Sequence, residues 1–377
     1  MKKNLIIFGT RPEAIKMAPL VKAFQKETED FETRVCVTAQ HREMLDQVLT
    51  FFEITPEYDL DLMKPNQNLY NLTATIISEM RVVLEDFEPD FVYVHGDTTT
   101  TMAAGIAAFY SGAKVCHVEA GLRTHDKRSP FPEEINRQVT SRLADFHFSP
   151  TETSKANLVN ENIVANQIQV TGNTVVDALL FSADKVKNFT SLAIEALKAS
   201  VDVSKNIILI TGHRRENHGQ GFENICKALK SIALQNIDVE LIYPVHLNPN
   251  VKAPVHKYLE GIANIHLIEP LAYPEFVWLM SMSYLIMTDS GGIQEEAPSL
   301  GKPVLVMRST TERPEAVEAG TVILVGTDVQ KIIDETQQLL DDTSHYQAMS
   351  RTHNPYGDGK ACYRIIEFIK NTDVQIC

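Results

Sequence analysis

Hydrophobic residues in this chain come in short unbroken runs rather than in alternation. Asn4-Leu-Ile-Ile-Phe8 is the first, and a run of this kind bounded by turn residues is what a strand buried on both faces of a parallel sheet requires. Similar runs follow at 34–38, 90–95, 114–119, 146–149 and 168–171. Helices are predicted between them: one starting at Gly9-Thr-Arg-Pro-Glu13, where Pro12 suits the first helical position, then 42–52, 69–87 ended by Glu88-Pro89, and a small-residue helix over 100–110 closed by Gly112. A loop containing Ser129-Pro-Phe-Pro132 leads to a helix opened by Glu133-Glu-Ile-Asn-Arg137. Gly172-Asn-Thr174 closes this half, and a bridging helix starts at Val175. The pattern then restarts, with strands predicted at 206–211, 239–243, 265–268, 284–287, 304–306 and 322–325 and helices mostly between them. Two such series predict an α/β protein of two doubly wound, Rossmann-like domains, residues 1–172 and 173–351, whose facing cleft is the default ligand site.

Composition narrows the class. The chain has 377 residues, 44% of them hydrophobic and 22% charged, with a formal net charge of −14. That charge argues against nucleic acid or an anionic membrane as partner. No apolar run reaches membrane-spanning length, and the N-terminus enters a strand at once, which predicts a cytoplasmic protein. Cys36, Cys116, Cys226, Cys362 and Cys377 are scattered, with no C-x-x-C and no zinc spacing, so neither a disulfide framework nor a metal is expected.

The chemistry gathers at strand ends. Asp289-Ser-Gly-Gly-Ile-Gln-Glu-Glu-Ala-Pro298 follows an apolar strand and opens a helix. Its glycines allow close backbone approach and φ > 0, and unpaired N–H groups there make a phosphate seat. Glu295 and Glu296, one turn in, could hold a ribose. Other polar groups end strands in the same way: Arg11, with Lys16 on the helix it opens, Asp97, Glu119 and His213. C-terminal strand ends share one edge of a parallel sheet, so within each domain these groups converge. Each also has a plainer reading, Asp97 as a turn former and Glu119 as a carboxylate satisfied by Arg123. No G-x-G-x-x-G and no P-loop motif is present. A mononucleotide diphosphate on the 290–292 turn, with Arg11 and His213 as donors, fits better than a dinucleotide.

These motifs, together with His95-Gly-Asp-Thr98, His117-Val-Glu-Ala-Gly-Leu-Arg-Thr124, Gly212-His-Arg-Arg-Glu-Asn217 and Thr311-Glu-Arg-Pro-Glu315, resemble the non-hydrolysing bacterial UDP-N-acetylglucosamine 2-epimerases, in order, from the first strand to about Gly326. The resemblance implies the glycosyltransferase-B architecture, with residues 352–377 crossing back to the first domain, and a homodimer. It implies that Ser290, Gly291 and Gly292 bind the diphosphate of a UDP-sugar with Arg11 and His213, that Glu296 holds the ribose, that Phe276 faces the uracil, and that Lys16, Arg137 and Arg313 line the site. Leu271 stands where some relatives carry a polar residue; a backbone contact there would be unaffected. Asp97, Glu119 and Glu133 are implied as catalytic carboxylates, with His213. Some members are regulated by UDP-N-acetylglucosamine at an adjacent site; Gln40, Glu134, Arg214 and His246 match it, whereas Glu43 and Asn66 depart from its pattern.

Chemistry supports an elimination. C2–H of the sugar has no adjacent carbonyl to acidify it, so inversion needs either transient oxidation or departure of UDP from C1. Without the dinucleotide glycines, departure is favoured and no cofactor is expected. A carboxylate would take the C2 proton to give a 2-acetamidoglucal and UDP, and protonation of the opposite face would give UDP-N-acetylmannosamine. The rivals are a hydrolysing epimerase releasing N-acetylmannosamine and UDP, a retaining glycosyltransferase, and a nucleotide-sugar sensor without turnover.

Overall fold

The chain starts each of its two sheets in the middle. A computed structural model describes residues 1–39, 42–62 and 67–372, and the chain divides into two units, Met1–Ala178 with Tyr356–Cys377, and Leu179–Pro355. In the first unit the strands are β1 (Lys2–Phe8), β2 (Phe31–Val37), β3 (Tyr58–Asp59), β4 (Phe91–His95), β5 (Lys114–Val118), β6 (Phe146–Ser149) and β7 (Ile168–Val170), in the order β3-β2-β1-β4-β5-β6-β7. In the second they are β8 (Asn206–Thr211), β9 (Val239–Pro244), β10 (Ile265–Ile268), β11 (Leu285–Thr288), β12 (Val304–Val306) and β13 (Val322–Leu324), in the order β10-β9-β8-β11-β12-β13. Every described pairing is parallel.

Both sheets therefore reverse their winding once, between β1 and β4 and between β8 and β11. Connections on either side of a reversal diverge and leave a crevice at the carboxyl ends of the strands. Four turns frame the two crevices: those beginning at Gly9 and Gly96, and those beginning at Gly212 and Asp289. The unbroken apolar runs arise because helices cover both faces. Leu5, Ile6, Ile7 and Phe8 alternate direction along β1, yet none is more than 1% exposed. Ile207, Ile208, Leu209 and Ile210 repeat this in β8.

Several element ends move. β2 begins at Phe31, three residues before the apolar run, and Glu119 lies just beyond β5 instead of ending it. The first helix is Arg11–Phe24 with Thr10 as its N-cap, so Pro12 is the second helical residue. At the other end the last helix is Ala361–Lys370. Residues 352–360 precede it as loop, because Pro355 and the positive φ of Gly357 (145°) and Gly359 (75°) break helical geometry. This helix packs on Arg11–Phe24 in the first unit. Lys2 Nζ donates to the carbonyls of Ile369 (2.6 Å), Lys370 (2.9 Å) and Thr372 (2.7 Å), satisfying its C-terminal end.

Candidate functional site: two switch-point crevices

In the first unit one buried carboxylate laces the two crevice turns together. Glu13 accepts from the N–H groups of Gly9 (3.2 Å) and Thr10 (2.8 Å) after β1, and from the hydroxyls of Thr98 (2.7 Å) and Thr101 (3.2 Å) after β4. Burial pushes its carboxyl above the usual range despite these bonds. The fifth residue of the Gly-Thr-Arg-Pro-Glu motif is thus a structural tie, and Arg11 sits half-buried at the helix start beside it.

From that helix Lys16 reaches Glu119, which it pairs with directly. Asn173 Nδ2 donates to the same oxygen, Oε2, at 2.8 Å, and His95 Nε2 lies 3.8 Å from it. Oε1 lies against the β4 turn, 3.5 Å from where a Cβ on Gly96 would stand. Burial alone would push the Glu119 carboxyl up; the Lys16 ammonium and the hydrogen bonds outweigh it and hold it at about 2. The backbone is left-handed here, with φ 62°. For a non-glycine residue this costs on the order of 1 kcal/mol and is retained where the surroundings over-determine it. Arg123 is not the partner: it is taken by Glu161, at 2.7 and 2.9 Å.

The Asp97 carboxylate pairs with Arg137, and its carbonyl accepts from Asn136 Nδ2 at 2.9 Å. Both partners stand on the helix Glu133–Leu143, which Glu133 opens. Glu133 and its neighbour differ sharply. Glu134 is fully buried and accepts from the N–H groups of Thr124 (3.1 Å) and His125 (3.2 Å) and from Gln138 Nε2 (2.9 Å). Those bonds keep its carboxyl low against the pull of burial. Glu133 has one buried oxygen, Oε2, with no hydrogen-bond partner among the described residues.

The second unit uses the same device. Asp289 is fully buried, and its Oδ2 accepts from the N–H groups of His213 (2.9 Å) and Arg214 (2.8 Å) and from Asn217 Nδ2 (3.3 Å). It ties the β8 turn to the β11 turn, so the opening residue of the Asp-Ser-Gly-Gly motif is a strut. Ser290 takes the N-cap position of the short helix Gly291–Glu296. Both glycines are inside this helix and neither has a positive φ; the expected left-handed turn is absent. What they supply is space. A Cβ on Gly291 would lie 2.8 Å from Arg313 Nη1, and one on Gly292 would lie 3.4 Å from Glu296 Oε1. The two acids of the motif also separate: Glu295 is buried and pairs with Arg313 Nε at 2.8 Å, leaving Glu296 as the half-buried carboxylate beside the turn.

Two carboxylates and an arginine to which the sequence assigned no role complete an ion-pair network here. Glu312 forms an ion pair with Arg313 Nη1 (2.7 Å) and accepts from Arg308 Nη1 (2.6 Å) and Arg214 Nη2 (3.4 Å), and Arg308 also pairs with Glu216 at 2.5 Å. Glu312 and Glu216 stood inside recognised motifs without a role assigned to them, but Arg308 carried no local signal. The His213 ring stacks on His246, centroids 5.0 Å apart at 11°, and burial lowers its pKa, favouring the neutral ring. Leu271 and Phe276 are half-buried, one before and one within the helix Tyr273–Met282. Of the regulatory candidates, His246 and Arg214 join this cluster, Glu134 has its carboxylate committed inside the first unit, and Glu43 is exposed in the first turn of the helix Arg42–Phe52. Gln40 and Asn66 lie outside the described residues. Among the described residues no group of three His, Cys, Asp or Glu side chains could hold a metal ion, and no helix is long and apolar enough to cross a membrane.

Two parallel doubly wound sheets, each with its polar residues at the winding reversal, define the class as a protein of two Rossmann-like domains. Residues 22–370 match the protein family described as UDP-N-acetylglucosamine 2-epimerase. The UDP-N-acetylglucosamine 2-epimerase of Escherichia coli strain K12 is 59% identical over 376 residues, which cover 99% of this chain and 100% of that protein. Among solved structures, that of UDP-GlcNAc 2-epimerase from Neisseria meningitidis bound to UDP-GlcNAc aligns with a TM-score of 0.86 at 53% identity, covering 98% of this chain and 100% of that one. The Methanocaldococcus jannaschii UDP-GlcNAc 2-epimerase in complex with UDP-GlcNAc and UDP aligns with a TM-score of 0.77 at 34% identity over 99% and 100%. The chain belongs to the UDP-N-acetylglucosamine 2-epimerase family, a family of isomerases.

Proposed function

We propose that this protein interconverts UDP-N-acetylglucosamine and UDP-N-acetylmannosamine by the non-hydrolysing route, eliminating UDP and adding it back. The observation that carries the reading is the set of acids in the first unit: Glu119 held as an anion by Lys16, Asp97 paired with Arg137, and Glu133 with a buried oxygen that has no partner among the described residues. In this reading residues 1–172 supply the sugar chemistry and residues 173–351 hold UDP. The diphosphate sits on Ser290, Gly291 and Gly292 with Arg11, His213 and Arg313 as donors, Glu296 takes the ribose, and Phe276 the uracil. As the C1–O bond breaks, its electron pair leaves with UDP and positive character grows at C1, which fixed carboxylates stabilise. One acid removes the C2 proton, the C2–H electrons form the double bond of the 2-acetamidoglucal, and a proton delivered to the other face, with UDP returning to C1, completes inversion. Two faces need two acid/base groups, and the three acids supply them. The hydrolysing alternative has no specific observation in its favour.

NMR of UDP-N-acetylglucosamine incubated with the protein in D2O tests this. The expected products are both UDP-sugars with deuterium at C2. Accumulation of free N-acetylmannosamine would assign the hydrolysing reaction instead, and absence of any C2 exchange would overturn the elimination. The protein is proposed to act in the cytoplasm as a homodimer, for which sedimentation at twice the chain mass of 42.2 kDa is the check.

A further inference from the structure

The chain leaves the first unit after Ala178 and returns to it at Tyr356, and the two passages are fastened together beside Glu119. Asn173 is 3% exposed, and three of its polar groups have distinct tasks. Its N–H donates to the Tyr356 carbonyl at 2.7 Å, its Oδ1 accepts from Val175 N at 3.0 Å, and its Nδ2 donates to Glu119 Oε2 at 2.8 Å. One residue earlier, a Cβ on Gly172 would lie 3.3 Å from Gly357 Cα, so the two passages run close together, and its φ of 88° favours glycine. One turn later, Asp177 accepts from the N–H groups of Ala361 (3.2 Å) and Cys362 (2.9 Å), capping the returning helix.

We infer that Asn173 is a positioning residue for the reaction: it fixes one carboxylate oxygen of Glu119 from the fastened passage and leaves the other oxygen to the chemistry. The inference rests on the reading of Glu119 as a catalytic acid. A glutamate side chain in a left-handed residue just past a strand has three torsions to hold, and the entropy of that freedom is what a rigid donor removes. Lys16 approaches from the first helix and His95 from β4, while His117 lies on β5 itself. Burial keeps both histidines neutral at neutral pH, each pushed down to about 4. Lys16 thus supplies the charge and Asn173 the geometry.

Asn173→Asp in the full-length protein keeps the size, the acceptor for Val175 and the backbone bond, and replaces only the donor facing Glu119. Loss of a charge-assisted hydrogen bond predicts a fall in kcat of roughly 10- to 100-fold, with UDP affinity unchanged by calorimetry. The acidic limb of the kcat profile should also move to higher pH, because two facing carboxylates raise one another. Asn173→Ser retains a capping oxygen without adding charge and should lose kcat at unchanged Tm. In a Glu119→Gln background either change should cost nothing further in kcat. If Glu119→Gln is slow while Asn173→Asp and Asn173→Ser both keep the wild-type kcat and pH profile, this inference falls alone. If Glu119→Gln itself turns over normally, the catalytic reading of Glu119 fails first.

Discussion

Gly9 has no space for a side chain: an added Cβ would meet Thr38 Oγ1 at 2.0 Å and Thr100 Oγ1 at 2.5 Å. Both threonines are buried and β-branched, so neither can rotate away freely. Gly9→Ala should destabilise the fold by about 1–3 kcal/mol, read from chemical denaturation. At Gly291 the obstacle is instead the far end of Arg313, a flexible side chain, and the backbone conformation suits any residue. Gly291→Val should therefore fold with near-normal stability yet lose UDP affinity, because its carbons occupy the backbone approach to the diphosphate; unchanged affinity would remove the phosphate seat. The carboxylates separate binding from chemistry in the same way. Asp97→Asn, Glu119→Gln and Glu133→Gln keep size and remove a titrating group. Each is expected to bind UDP nearly normally and to epimerise on the order of 10²–10⁴ times more slowly. Near-normal turnover in all three would refute the assigned mechanism.

At the scale of elements, the centre of the first sheet carries three neighbouring histidines, one on each of β4, β5 and β6. His117 stands opposite His147 in the strand register, and their ring centroids are 6.5 Å apart. Burial pushes His95 and His117 down from near 6.5 to about 4, and His147 to about 3. The sign follows directly. Between these values and 6.5 the unfolded chain binds protons that the folded chain does not, so stability is present above pH 6.5 and is lost as pH falls. Each histidine contributes a slope of up to about 1.4 kcal/mol per pH unit in that window. Unfolding free energies measured from pH 8 to pH 4 should fall steeply below pH 6.5. His147→Phe should flatten the slope; an unaltered slope would refute its titration as a source.

For the whole molecule the consequence concerns what the reaction needs from outside. A route through UDP departure requires neither a hydride acceptor nor a Lewis acid, and the sequence carries neither zinc spacing nor dinucleotide glycines. Activity is expected to survive exhaustive chelation, with no nicotinamide absorbance in the purified protein. Loss of activity that a divalent ion restores would contradict the metal-free reading.

Local patterns were enough to determine the two αβ series and to mark the polar segments at their strand ends, because runs of Val, Ile and Leu and capping residues act within a few residues of themselves. Family motifs then named the acids. Which of two adjacent acids faces a crevice was not legible, since successive helical residues point about 100° apart and only packing chooses between them. Tertiary structure buried and satisfied Glu134 and Glu295, while Glu133 keeps a buried oxygen unpartnered among the described residues and Glu296 is only half-buried. It gave Glu119 to Lys16, 103 residues away, instead of to nearby Arg123. It turned Glu13 and Asp289 from motif letters into the struts between paired turns. These partnerships join segments that meet only once the sheets have wound, and no spacing in the chain encodes which carboxylate a distant cation will reach.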